Sequence, residues 1–107
     1  MNPDTPLVCN MGVFTPAQQE SHIQTTTELI QAVQHVQEVE NGYEFTFPNE
    51  TEFISRIAEF ISNERLCCPF LKFTLNIVSN SEPFSFALTG PIGTQEFLRA
   101  EFNGAIQ

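Results

Sequence analysis

Tryptophan is absent from this chain, basic residues are scarce, and no long apolar run occurs anywhere in it. Four Lys and Arg stand against thirteen Asp and Glu, for a formal net charge of -9, and none of the four precedes Arg56. Binding to phosphate needs clustered cations, so the acidic balance argues against nucleic acid as the main partner. The same shortage excludes a basic helix lying on a membrane surface. Apolar runs of a few residues are too short to span a bilayer, so no membrane partner is expected. Residues 1–7 show neither the positive start nor the apolar stretch of a signal peptide, which makes a cytoplasmic location the expectation. Cysteine is sparse and odd in number: Cys9, Cys67 and Cys68. Such a set is not a secreted disulfide framework and reads as reduced thiols in a reducing cytosol.

What remains suits one small domain spanning 1–107, with an irregular N-terminal segment at 1–14 that holds Pro3, Pro6 and Gly12. Eleven Phe supply an aromatic core. Thr15-Pro16-Ala17-Gln18 reads as a helix start, with Thr15 as N-cap, Pro16 at the first helical position and Gln18 closing a capping box. The helix should run to about Ala32, with Ile23, Leu29, Ile30 and His22 on one face. A strand from about Gln34 to Val39 leads into Asn41-Gly42, a hairpin signal, and Tyr43, Phe45 and Phe47 alternate with polar residues beyond it. A two-residue turn at Asn41-Gly42 would set Glu38 and Glu40 on the aromatic face. A three-residue loop with a bulge would set Val39 opposite Tyr43, and is preferred because carboxylates among Phe rings are costly. Asn49 is the expected N-cap of a helix from about Glu50 to Cys67, with Phe53, Ile54, Ile57, Ile61 and Cys68 on its apolar stripe. Pro69 ends that helix. Two further strands alternate Leu71, Phe73, Leu75, Ile77 and then Phe84, Phe86, Leu88, and Thr94 caps a last helix carrying Phe97, Leu98 and Phe102.

The expected fold is therefore α+β, in the order α-ββ-α-ββ-α: a four-stranded antiparallel sheet with helices packed on one face. Phe45-Thr46-Phe47 followed by Thr51-Glu52-Phe53-Ile54-Ser55-Arg56 parallels Phe86-Ala87-Leu88 followed by Thr94-Gln95-Glu96-Phe97-Leu98-Arg99, a short sign of a ββα duplication. A sheet covered on one side leaves a face or an edge free, which leaves room for a homodimer.

The adjacent pair Cys67-Cys68 is the most specific chemical feature. Two consecutive thiols lie within reach of one soft cation, and thiolates are preferred ligands for zinc and softer metals. The pair closes a helix, where the dipole raises a thiol pKa, so strong nucleophilic activation is not expected there, whereas a metal ion drives deprotonation itself. The plain alternative is that buried cysteines pack as small hydrophobes. Glu64 lies one turn before Cys68, at the edge of the apolar stripe and near a helix C-terminus that disfavours its charge, so it calls for a partner such as Arg65, His22 or a metal. The alternative is a carboxylate on the wet boundary. His22 is either a core histidine with one hydrogen bond or a ligand. With Cys9 brought over the start of its helix, Cys9, His22, Cys67 and Cys68 would make a Cys3His set for tetrahedral zinc. His35 reads as a surface residue. Gly90-Pro91-Ile92-Gly93-Thr94 looks like an anion cradle but has no Lys beside it.

Glu64-Arg65-Leu66-Cys67-Cys68-Pro69-Phe70-Leu71, then Leu88-Thr89-Gly90-Pro91 and Glu96-Phe97-Leu98, together with Cys9, Phe14-Thr15-Pro16 and His22, resembles a group of small uncharacterised bacterial proteins with an E-R-x-C-C-P-F signature. The resemblance spans most of the chain. It implies a bacterial cytosolic protein with thiol ligands and, through similar cysteine-containing tails on mercury-type regulators, a link to heavy-metal handling. The chain departs from that pattern in having no basic residue near His22.

The reading that follows is a protein of unknown function that binds a soft or borderline metal ion, zinc or a heavy metal, through Cys67 and Cys68. Cys9, His22 and Glu64 are the further candidate metal residues, and no catalytic residue is assigned. The rivals are a thiol redox protein, with Cys9 working against Cys67 or Cys68, and an interaction module whose cysteines only pack. If the first helix packs antiparallel to the second, Cys9 and His22 should meet the cysteine pair at one corner.

Overall fold

The computed structural model describes residues 7–79 and 82–106. The first six residues of the irregular N-terminal segment lie outside them. Among the described residues a 3-10 turn, Met11–Val13, precedes α1 (Pro16–Ala32), β1 (His35–Val39), β2 (Gly42–Phe47), α2 (Thr51–Cys67), β3 (Lys72–Asn76), β4 (Phe84–Thr89) and α3 (Thr94–Glu101). The order is the expected α-ββ-α-ββ-α, and the four strands form one antiparallel sheet in the order β1-β2-β4-β3. No helix among the described residues is long and apolar enough to cross a membrane.

Alternation builds the core. Tyr43, Phe45 and Phe47 of β2 and Phe84, Phe86 and Leu88 of β4 are buried on one face. In register Phe45 pairs with Phe86, Tyr43 with Leu88 and Phe47 with Phe84. Phe60 of α2 meets Phe86 edge-on, with ring centroids 6.0 Å apart, and Phe102 after α3 meets both Phe60 and Phe45. Edge-to-face geometry suits the ring quadrupoles and adds to the burial.

The start of α1 follows its sequence. Thr15 accepts from Gln18 N, and the Gln18 side chain accepts from Thr15 N, which completes the capping box. The first helix leaves Ile23 exposed, the last helix is capped by Gly93 and not by Thr94, and the first hairpin, Asn49 and the α2 stripe also need correction. The first hairpin turns at Glu40-Asn41, not at Asn41-Gly42 and not through a three-residue bulge, so Glu38 pairs with Tyr43 and Val36 with Phe45. Gly42 is drawn into β2 because its backbone touches the next strand: a Cβ there would sit 2.0 Å from the Leu88 carbonyl oxygen. Asn41 then takes the left-handed conformation, φ 57°, which Asn tolerates. Glu38 stays exposed at the sheet edge, so the feared burial of a carboxylate does not occur.

Asn49 does not cap α2. The N-cap is Glu50 without a side-chain bond, and the Asn49 amide donates instead to the carbonyls of Ser79 and Glu82, tying down the β3–β4 connection. Finally, the buried stripe of α2 is Ile57, Phe60, Glu64 and Cys67, with Phe53, Ile54 and Ile61 only partly covered. Glu64 therefore lies on the covered face of α2, against His22 of α1.

Candidate functional site: a thiol and carboxylate cluster

Pro69 shapes the site first. It ends α2, and Cys68 leaves the helix at φ -121°, ψ 75°, its N–H still bonded to the Glu64 carbonyl at 2.7 Å. Cys67 is the last helical residue and Cys68 the first outside it, so the two sulfurs turn to one side, 3.8 Å apart. The N-terminal segment docks on this end of α2, with Asn10 N–H donating to the Cys67 carbonyl at 2.7 Å. That contact delivers Cys9. The expectation of three reduced thiols is corrected here: Cys9 and Cys68 form a disulfide, with Cα atoms 4.4 Å apart, and Cys67 is the free cysteine.

Glu64 organises the remainder. It is only 7% exposed, so the wet-boundary alternative does not hold. Its Oε1 accepts from the Cys67 thiol at 3.1 Å and is 3.0 Å from His22 Nε2. Nε2 and Oε1 make a buried hydrogen bond between α1 and α2. The imidazole lies between Phe14 and Phe60, nearly parallel to Phe60 at 22°. Its Nδ1 is buried and has no hydrogen-bond partner among the described residues. A polar ring nitrogen without a partner inside a protein costs free energy, and here it is the residual cost of fixing Glu64 from behind.

Ligand atoms from Cys9, Glu64, Cys67 and Cys68 all lie within 4.8 Å of one another. Three of the four candidate thiol and carboxylate positions are fully or almost fully buried, while Cys9 is partly exposed. His22 is outside that group of four and touches it through Glu64. The expected corner therefore forms, with two roles exchanged: Glu64 joins the sulfurs, and His22 orients Glu64. His35 is on the exposed sheet edge, as expected.

Electrostatics inside the cluster favour neutral thiol. Burial, then the hydrogen bond to Glu64 and its charge, push the Cys67 thiol from its ordinary 9.0 up to about 12. A cleft of about 400 Å³ opens beside the cluster, with Cys9, His22, Glu64 and Glu101 among its walls. Partial desolvation, then the charge of Glu64, hold the Glu101 carboxyl above its usual range. Sequence reasoning missed Glu101. The signal that marks Glu64 was present there as well: an acidic residue in the last turn of a helix, where the dipole disfavours it, next to a core aromatic, Phe102.

Comparison of the chain with family models, with curated proteins and with solved structures finds no match.

Proposed function

We propose that this protein binds a soft or borderline metal ion, zinc or a heavier thiophilic ion, through the thiolates of Cys9, Cys67 and Cys68 with Glu64 as the oxygen donor. The observation that carries this reading is the convergence of those four ligand atoms within 4.8 Å. Three sulfurs and one carboxylate suit a tetrahedral borderline ion, and the same sulfurs suit a softer one. The metal supplies positive charge where the apo cluster has none, and so reverses the electrostatics that keep Cys67 protonated. His22 supports the site as such sites usually are supported, by a hydrogen bond that fixes the ligating carboxylate. The disulfide sets a condition: binding requires Cys9 and Cys68 to be reduced first. A bacterial cytoplasm meets that condition, and the E-R-x-C-C-P-F resemblance points the same way.

The test is titration of fully reduced protein with zinc and with mercuric ion, counting free thiols at each step. The expected result is protection of three thiols at one equivalent, with Glu64→Gln weakening zinc about ten- to a hundredfold. Absence of bound metal and of thiol protection at stoichiometric concentration would sink the reading. A second reading, thiol–disulfide chemistry, is favoured by one specific observation, the Cys9–Cys68 bond with a third sulfur 3.8 Å away.

A further inference from the structure

The two sulfurs of the Cys9–Cys68 bond sit in unequal surroundings. Cys68 is fully buried, whereas Cys9 is partly exposed and forms part of the wall of the 400 Å³ cleft, which Cys68 does not. Thiol–disulfide exchange is substitution at sulfur: an incoming thiolate bonds to one sulfur and the other leaves. A reagent in the cleft therefore meets Cys9 first. The cleft also has a definite charge. Glu64 and Glu101 line it, no Lys or Arg does, and its imidazole, His22, is already hydrogen-bonded to Glu64. Ile23, Ile30 and Phe102 give it an apolar side that suits a short hydrocarbon.

We propose that this cleft is a thiol-exchange site for small cationic thiols, of the aminothiol class, which attack Cys9 Sγ and release Cys68. The thiolate forms a bond to Cys9 Sγ as the Cys9–Cys68 bond breaks, and Cys68 departs with the electron pair. A second thiolate attacks the small-molecule sulfur of the mixed disulfide. It gives the symmetrical small disulfide and leaves Cys9 as thiolate. Two small thiols are oxidised, the protein disulfide takes up two electrons, and the protons lost by the thiols end on Cys9 and Cys68. The carboxylates hold the ammonium group and repel anionic thiols. The proposal rests on the metal reading for its purpose, because exchange delivers the thiols an ion would need, but the exchange itself runs with no metal present.

The experiment uses oxidised protein with a chelator present, as wild type and as Cys67→Ser, the latter to prevent rearrangement onto the third sulfur. Disulfide opening is followed with cysteamine, mercaptoethanol and mercaptoethanesulfonate, which differ in charge at similar size. Each rate is divided by that thiolate's rate with hydroxyethyl disulfide, which removes intrinsic reactivity. Acid-trapped adducts are located by peptide mass spectrometry. The expected adduct is on Cys9. The cation should react fastest and the anion slowest, roughly three- to tenfold apart at low ionic strength. That spread should shrink at high salt and in Glu101→Gln. An adduct on Cys68, a flat or reversed order of rates, or a Cys9–Cys68 bond that does not form under mild oxidation would overturn the proposal. Zinc titration of reduced protein reads the metal site separately, and its failure would leave these rates unchanged.

Discussion

Burial and Glu64 act on the Cys67 thiol in the same direction, towards the protonated form, and this has a consequence for stability against pH. The folded-state value is about 12 and the ordinary value 9.0. Below pH 9 both folded and unfolded chains keep the proton. Between pH 9 and about 12 the unfolded chain loses it while the folded chain holds it, so stability falls as pH rises through that window. Thermal melts of oxidised wild-type and Cys67→Ala protein, with the Cys9–Cys68 bond in place, should therefore converge as pH climbs from 8 to 11. A gap that stays constant would show that Cys67 titrates alike in both states. Glu101 belongs to the same kind of group, since its carboxyl is also held above the usual range. Its neutral form suits the folded state, so Glu101→Gln should raise the melting temperature at pH 7, and the gain should vanish as the pH falls below the ordinary carboxylate range. A gain of the same size at low pH would mean that the charge next to Glu64 is not its cause. At this scale much of the site is legible in the sequence. Glu64 and His22 stand out as polar residues on apolar helical faces, and two adjacent thiols before Pro69 mark a helix end. What periodicity cannot supply is the packing of α2 against α1 that buries Glu64, or which thiol Cys9 meets, since the second depends on how the N-terminal segment docks.

Elements follow their local signals where those signals are self-contained. The capping box of α1 involves residues three apart, so the sequence carries all of it. Asn49 and Gly42 behave otherwise because their partners are remote. Asn49 looks like a cap and is used as a clamp on the loop before β4. Gly42 looks like half of a turn and is a strand residue pressed against β4. The hairpin turn therefore moves one residue towards the N-terminus, and the facing pairs change with it. This gives Gly42→Ala a sharp expectation. The added Cβ would meet the Leu88 carbonyl and the Thr89 Cα at 2.0 and 2.8 Å, both backbone atoms that cannot move without parting β2 from β4. The two strands are the centre of the sheet, so the substitution should cost more than about 3 kcal/mol, beyond the usual range for single substitutions. Urea denaturation measures it. A cost below about 1 kcal/mol, the ordinary size for a surface substitution or mild strain, would show that the strands do not approach as closely as described.

For the whole molecule, the sheet order β1-β2-β4-β3 has its own symmetry. Each hairpin puts its second strand at the centre, Phe45 faces Phe86 across the middle, and each central strand leads into a helix, α2 or α3. The arrangement agrees with the short ββα similarity in the sequence. The cluster breaks that symmetry, since it belongs to the end of α2 alone and needs α1 and the N-terminal segment to complete it. The disulfide thus ties an otherwise peripheral segment to the body across 59 residues of chain. Closing a loop of that length restricts the unfolded ensemble by about 4 kcal/mol in the chain-entropy account. Reduction should lower the melting temperature accordingly, and Cys9→Ser should bring the oxidised protein down to about the level of reduced wild type, because it removes the same cross-link. Metal binding makes the opposite prediction for the reduced state. An ion that joins Cys9 to the end of α2 binds only the folded chain and should restore the lost stability as its concentration rises. Zinc added to reduced wild type should then raise the melting temperature with a logarithmic dependence on free ion, and should do little for Cys9→Ser. If zinc stabilises Cys9→Ser as much as wild type, Cys9 is not a ligand.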